Sequence, residues 1–418
     1  MGNAASSSCG QQTLWKVRFI MSERPFKRKE YFEKLLTIPE QEIDYTESPS
    51  TKTADWEGAE VLFPITPEEF RAFREFIRDR RDKVEMLIAK PDGEKIKKIA
   101  ILGEQFPDIH LFENSASEED PLVDIGHNSK YTKRRSELQT DWHNALQFFL
   151  SKVFYGRLRD NRMREYFWHV YKVLDRNRLR LLNPNFSLDY LDLQMEREGV
   201  KNRHDRRMVI DSVEMARNLD VWDNNIALYT LDRVRNGKIT EVYKALVHKG
   251  DHGLHGIGPK RASVFIRDVV MIWKLEKHLN TDEDFITCVP IDTHVRRTCE
   301  RAGIRVDSVI TPSNDEESDL LLKKAIIDAC KSLGVSPLLF DAGAWMLGMA
   351  RDRVKINREI MGGKPVIRGR RIPVEQILRK LDAGILPDDI ISDHPKLTLD
   401  DIRAAQVFAA GYLANEEL

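Results

Sequence analysis

The spacing of apolar side chains divides this chain into a long helical middle flanked by two smaller mixed regions. From residue 140 to 355, apolar residues recur mostly at helical intervals. Asp141-Trp142 opens one segment, carried on by Phe148, Phe149, Leu150, Val153 and Phe154. Tyr166, Phe167, Trp168, Tyr171 and Val173 mark a second. Aromatic stripes at this spacing predict core more than a platform for stacking bases. Arg157, Arg159, Arg162, Arg164, Arg176, Arg178 and Arg180 lie between and after them. Most should solvate a helix face, and a few could reach phosphates.

Residues 22–139 read as a small α+β domain without a motif that carries chemistry. Thr66-Pro67-Glu68-Glu69 is a helix start, followed by Phe70, Phe73, Phe76 and Ile77 at core spacing. Ile99-Ala100-Ile101-Leu102 and Ile109-His110-Leu111-Phe112 are strand-like runs. Residues 114–140 turn acidic, then rich in Ser, Lys and Arg, and suggest a linker. Residues 356–418 form a third unit. Gly362 to Val374 predicts a short hairpin turning near Gly369. Val374–Asp382 is an amphipathic helix ended by Gly384, and Pro387 and Thr398 start two more. A hairpin with three short helices is a helix-turn-helix plan. The expected fold class is therefore mainly α. Residues 1–21 read as a disordered leader. Met1-Gly2-Asn3-Ala4-Ala5-Ser6 matches the loose N-myristoylation pattern, but such matches are common by chance and Met21 reads well as a start.

Composition narrows the class without naming a function. With 418 residues, two or three domains are expected, and 41% hydrophobic with 32% charged residues is ordinary for a globular protein. No apolar run approaches a membrane span, so no membrane partner is expected. The net charge of −1 excludes an argument from bulk charge. The distribution is uneven, however: residues 351–371 carry 8 Lys/Arg against 2 Asp/Glu, and residues 101–140 carry 4 against 8. Local basic patches, not net charge, make a nucleic-acid footprint. Cys9, Cys288, Cys299 and Cys330 fit neither a disulfide framework nor a zinc or iron–sulfur site, so no metal is expected and a cytoplasmic location is the default.

Two stretches concentrate the chemistry. The first is Leu254-His255-Gly256-Ile257-Gly258-Pro259-Lys260. Gly256 and Gly258 can make a tight turn whose peptide N–H groups meet a DNA phosphate at a helix N-terminus. Such a hairpin positions DNA and reads no sequence. It is neither a P-loop nor a dinucleotide fingerprint. Lys260 is either one more phosphate contact or, if its amine is freed by the helix dipole and partial burial, a nucleophile for a sugar carbon. The second stretch is Pro290-Ile291-Asp292-Thr293-His294-Val295-Arg296-Arg297, with Asp292 thirty-two positions after Lys260. Asp292 can cap a helix, or stabilise a sugar cation and move a proton. His294 more often has a structural place at such a position.

Taken together, these residues resemble the helix-hairpin-helix (HhH-GPD) base-excision DNA glycosylases. That family pairs a Leu-Pro-Gly-Ile/Val-Gly hairpin, followed by Lys in bifunctional members, with a Val-Asp-Thr-His-Val-x-Arg segment. The resemblance covers residues 140–355. It implies a helical glycosylase core, Lys260 as nucleophile and Asp292 as essential acid. It also implies DNA contacts from Gly256, Ile257, Gly258 and Arg296, and double-stranded DNA as partner. Arg203–Leu219 resembles the helix before the hairpin, and Phe340 to Trp345 the late pocket helix; Trp142 and Trp345 are the candidate base-pocket residues. A monovalent cation at the hairpin is compatible with this picture, and no iron–sulfur cluster is expected. His255 replaces the usual proline. The Lys–Asp gap is similar to that of the archaeal 8-oxoguanine glycosylases. The Gln of an early Leu-Ser-x-Gln segment has no counterpart near Leu150-Ser151-Lys152.

Residues 356–413 resemble a small antitoxin-like winged helix-turn-helix family. This implies a DNA-binding module with Lys364, Arg368, Arg370 and Arg371 as phosphate contacts, or one that holds a toxin-like protein; a purely structural wing is equally open. Three functional readings follow. One is a bifunctional DNA glycosylase acting on a damaged or modified base. The second is a defence enzyme excising a modified base from phage DNA, in monofunctional form as an alternative. The third is a non-catalytic DNA- or toxin-binding protein.

Overall fold

The apolar run ending at Phe154 is hydrophobic on every side, and such a helix has to be buried all round. In the computed structural model, Trp142–Phe154 is a helix whose every residue from His143 onward is buried. The structure describes residues 53–56, 59–62, 91–113, 119–126, 131–154, 160–248, 252–304 and 316–413. The leader and the helix expected from Thr66 lie outside these residues.

Two compact units divide the chain. In Met1–Lys90 with Arg305–Ser318, the strand β1 (Thr53–Trp56) pairs antiparallel with β2 (Ala59–Leu62). The second unit holds Pro91–Ile304 and Asp319–Leu418 together. The boundaries read at 139/140 and 355/356 therefore fall inside a single unit.

Its first helix corrects the sequence reading. Ile99 to Leu102 belongs to α1 (Gly93–Gly103), not to a strand. Asp92 caps α1 by accepting from the Lys95 N–H at 3.1 Å, and Glu94 sits in its first turn. A short apolar run carries no period of its own, so the cap decides. Ile109 to Leu111 is likewise a π-helical turn, Pro107–Leu111. The expected linker holds structure as well. β3 (Phe112–Glu113), β4 (Leu122–Asp124) and β5 (Thr132–Arg134) form an antiparallel sheet in that order, anchored by buried Val123 and Ile125.

The helical middle follows the expected pattern. After α2 (Glu137–Thr140) and α3 (Trp142–Phe154) come α4 (Asp160–Leu181), α5 (Leu188–Glu198) and α6 (Arg203–Arg217). Then follow α7 (Ile226–Arg235), α8 (Ile239–Leu246), α9 (Pro259–Ile272), α10 (Asp282–Cys288) and α11 (Thr293–Arg301). α12 (Glu316–Ser332) and α13 (Pro337–Arg353) complete this part. α3 packs against α6, α7 and α9, while α13 packs against α1 and α11. Among the described residues no single helix is long and apolar enough to cross a membrane.

The C-terminal region also follows its pattern. β6 (Val354–Lys355) continues directly from α13 and pairs with β7 (Val366–Ile367). Gly369 takes a positive φ of 72° in the turn that brings Ile372 back to Ile367. α14 (Val374–Asp382), α15 (Pro387–Asp393) and α16 (Leu399–Leu413) enclose Ile377, Ile390, Leu397 and Ile402. α16 also packs on α13, which binds this region to the helical middle.

Candidate active site

The hairpin between α8 and α9 is closed by backbone bonds. His248 N–H donates to the Ile257 carbonyl at 2.8 Å, and Ile257 N–H donates to the Leu254 carbonyl at 3.1 Å. Gly256 has φ +76°, a left-handed conformation that favours glycine. Gly258 does not: at φ −89° and ψ 178° it is extended, where any residue fits. A side chain there would meet no protein atom within 4 Å. Bare backbone at the N-terminus of α9, rather than an unusual angle, is what Gly258 provides. The Ile257 side chain is buried, and its N–H is already used in the turn.

His255 uses the donor that a proline would lack. Its N–H donates to Asp211 Oδ2 at 2.9 Å, and its ring stacks on His204, with Nε2 2.8 Å from His204 Nδ1. Burial pushes the His255 pKa down, and the neighbouring His204 and His248 push the same way.

Lys260 follows Pro259 in the first turn of α9. It is more open than a partly buried setting implies, with 43% of its side chain exposed. Asp292 approaches it from the N-terminus of α11 and divides its two oxygens between tasks. Oδ1 accepts from His294 N–H at 2.8 Å and Val295 N–H at 2.9 Å, capping the helix. Oδ2 lies 3.6 Å from Lys260 Nζ. The cap thus fixes the carboxylate that faces the amine. His294 is turned elsewhere, with Nδ1 3.6 Å from Asp352 and its Cβ against Gly348 of α13.

Both residues line a small cavity that is partly open to solvent. Trp345 lines it as well. Its ring meets Phe106 and His110 edge-on, at 6.1 and 4.9 Å between centroids, and Phe106 and His110 stack on each other at 5.3 Å. Trp142 is not among the lining residues; it packs edge-on against His143, which pairs with Asp175 at 2.7 Å.

Buried charge forms another part of the wall. Lys152 lies 3.3 Å from Asp268, and Arg267 donates to Asp268 at 2.9 Å and to Asp341 at 2.9 Å. The Arg267 guanidinium also sits 4.6 Å over the Phe106 ring. Burial raises the Asp341 carboxyl to about 7, against the pull of Arg267. Arg403 of α16 lines the same cavity and donates to Asp124 at 3.0 Å. Of these residues, Asp341 lies in the Phe340 to Trp345 stretch that the sequence marked, and Arg267 follows Lys260 by two helical turns, on the same face of α9.

The remaining expected DNA contacts divide. Arg296 is tied to Asp319, Arg370 pairs with Asp401 at 2.8 Å, and Lys364 pairs with Glu375 at 3.2 Å. Arg368 and Arg371 are exposed. Cys288, Cys299 and Cys330 are buried free thiols, and burial pushes Cys288 and Cys330 to about 12.

A family model matches the C-terminal region. The chain is similar to "Uncharacterized protein y4eO" of Sinorhizobium fredii (strain NBRC 101917 / NGR234), 35% identical over 63 residues, 15% of this chain. It spans 28% of that relative's length. No solved structure matches. The family match stops short of the helices that carry Lys260 and Asp292. Residues 354–409, Arg403 among them, match the family described as Protein of unknown function (DUF433).

Proposed function

We propose that the protein is a DNA glycosylase with abasic-site lyase activity, excising a damaged or modified base from double-stranded DNA. The observation that carries this reading is the approach of Lys260 Nζ to Asp292 Oδ2, 3.6 Å apart, on the wall of an aromatic-lined cavity. The bare hairpin at Gly256 and Gly258 supports it with a place for a phosphate beside the amine.

The target nucleotide leaves the stack, because its sugar carbon is inaccessible within the duplex. Asp292 takes the proton that Lys260 must lose. The amine attacks C1′, the C1′–N bond breaks, and its electron pair departs with the base, which gains the proton that Asp292 carries and so leaves Asp292 ionised again. Asp292 stabilises the positive charge that develops on the sugar. The C1′–O4′ bond then opens to a Schiff base, with the proton going to O4′. Loss of a C2′ proton expels the 3′ phosphate and nicks the strand.

Borohydride reduction with duplex carrying an abasic site tests this. The wild-type chain should form a covalent adduct, and Lys260→Gln should form none. Persistence of the adduct in Lys260→Gln removes the lysine from its role. Mass spectrometry of bases released from damaged genomic DNA and from phage DNA identifies the substrate; release of no base from either would refute excision.

A further inference from the structure

Lys260 and Asp292 do not account for a second lysine buried in the same cavity. Lys152 is 4% exposed, and Asp268 beside it is 3% exposed. Taking such a pair out of water is costly, and apolar residues of the same volume are often as good or better for stability. Asp268 is committed on both sides: Oδ1 accepts from Arg267 Nε at 3.1 Å and Nη2 at 2.9 Å, and Oδ2 faces Lys152 Nζ at 3.3 Å. An ammonium has three protons. Asp268 engages one side of it, the Phe148 ring lies 5.2 Å from Nζ, and Lys152 is among the residues that line the cavity.

Lys152, Lys260, Arg267 and Arg403 line the cavity with the acids Asp268 and Asp292, so cations outnumber anions on its surface, although Asp341 and Asp124 stand behind the two arginines. Arg267 also places a cation against Phe106 at 4.6 Å, the kind of aromatic face that would otherwise attract a positively charged ring. A cationic occupant meets repulsion here. An occupant that becomes negative is stabilised, and more strongly than in water.

We propose that Lys152, held by Asp268, is a further catalytic residue: it hydrogen-bonds the departing base and stabilises the electron pair that leaves with it. This rests on the glycosylase reading above. The pocket then suits uncharged bases with an acceptor on the edge facing Lys152. It rejects bases that already carry a positive charge, such as N7-alkylated purines.

The lyase step on an abasic site has no base to expel, so it separates this role from folding and from Lys260. The full chain is assayed on duplexes containing 8-oxoguanine, 5-hydroxyuracil or 7-methylguanine, and on abasic duplex with borohydride. Lys152→Met should slow release of the best uncharged base about a hundredfold or more. Its abasic-site trapping should stay within about threefold of wild type. Lys152→Arg keeps the cation and should retain about a tenth of the wild-type rate or better. The wild-type chain should release 7-methylguanine more slowly than that uncharged base. Preferential release of 7-methylguanine, release of no uncharged base, or undiminished excision by Lys152→Met would each overturn the proposal. Failure of the wild-type chain to be trapped on abasic DNA would instead sink the glycosylase reading itself.

Discussion

Gly103 and Gly343 meet backbone to backbone where α1 lies on α13. A Cβ on Gly343 would fall 2.9 Å from the Gly103 nitrogen and 1.9 Å from the Ile99 carbonyl oxygen; one on Gly103 would fall 1.8 Å from the Leu339 oxygen. Backbone cannot step aside as a flexible side chain can, so a single methyl group must separate the helices. α13 carries Trp345, and the turn after α1 carries Phe106 and His110. Gly343→Ala should therefore destabilise the fold by about 3 kcal/mol or more, beyond the gain expected from helix propensity. Thermal or urea unfolding measures this, and a variant as stable as wild type would contradict the close approach.

Asp292 lets its two tasks be separated. Asparagine is as good an N-cap as aspartate. Asp292→Asn should leave stability within about 1 kcal/mol of wild type while slowing base release about 10²- to 10³-fold. Asp292→Ala should lose the cap as well, at about 1 kcal/mol. Denaturation curves beside single-turnover excision read both effects. Equal loss of stability in the two variants would show that the carboxylate's charge, and not its cap, holds α11.

The hairpin glycines should respond differently. Gly256→Ala strains a left-handed position and should cost about 1 kcal/mol of stability. Gly258→Ala should leave stability nearly unchanged, because its angles are ordinary and the space is open. It should still weaken DNA binding, because a methyl group would stand over the α9 N-terminus. Fluorescence anisotropy with a labelled duplex checks this; unchanged affinity for Gly258→Ala would move the phosphate site away from the hairpin.

Asp341 predicts a dependence of stability on pH. Burial lifts its carboxyl from 3.8 to about 7 in the folded chain. Between those values the native state holds a proton that the unfolded chain has released. The contribution is thus fully present below the unfolded value and is lost as pH rises through about 7. Asp341→Asn should flatten this part of the stability profile. Urea midpoints measured across that window test it, and an unchanged slope would assign the dependence to another group.

Arg403 and Asp124 form a buried pair, 3.0 Å apart and 279 positions apart in sequence. Truncating one partner takes a buried countercharge from the other, so Arg403→Met alone should cost about 3–5 kcal/mol. Combining it with Asp124→Leu should recover much of that loss. A strictly additive double variant, measured by unfolding, would show that the two side chains do not interact.

Local signals carried the helical plan. Asp292, Pro387 and Thr398 each mark a helix start by their side-chain chemistry, and Gly369 marks a turn by its lack of one. Lys260 and Asp292 were legible because each stands at a helix start with distinctive neighbours. Ile99 to Leu102 misled because an unbroken apolar run has no period, and Asp92, which settles it, lies nearly two helical turns before the run. Phe106, His110, Lys152 and Arg403 were illegible for a different reason. Each is an ordinary residue in its own segment, and only packing among α1, α3, α13 and α16 brings them to one cavity. Arg296 and Arg370 show the converse: their charge was visible, but the acids that occupy them were not.

The distance along the chain between the cavity's walls has a temporal consequence. During synthesis, α9 and α11 emerge well before α16, so Lys260 and Asp292 can meet while Arg403 is still unmade. A chain on the ribosome would then hold Lys260 beside an incomplete wall, before Arg403 reaches Asp124. Completion of the last helix brings Arg403 to Asp124 and adds it to the cavity wall. That wall is therefore finished only at the end of translation, and a chain truncated before α16 would keep Lys260 and Asp292 but lack Arg403 beside them.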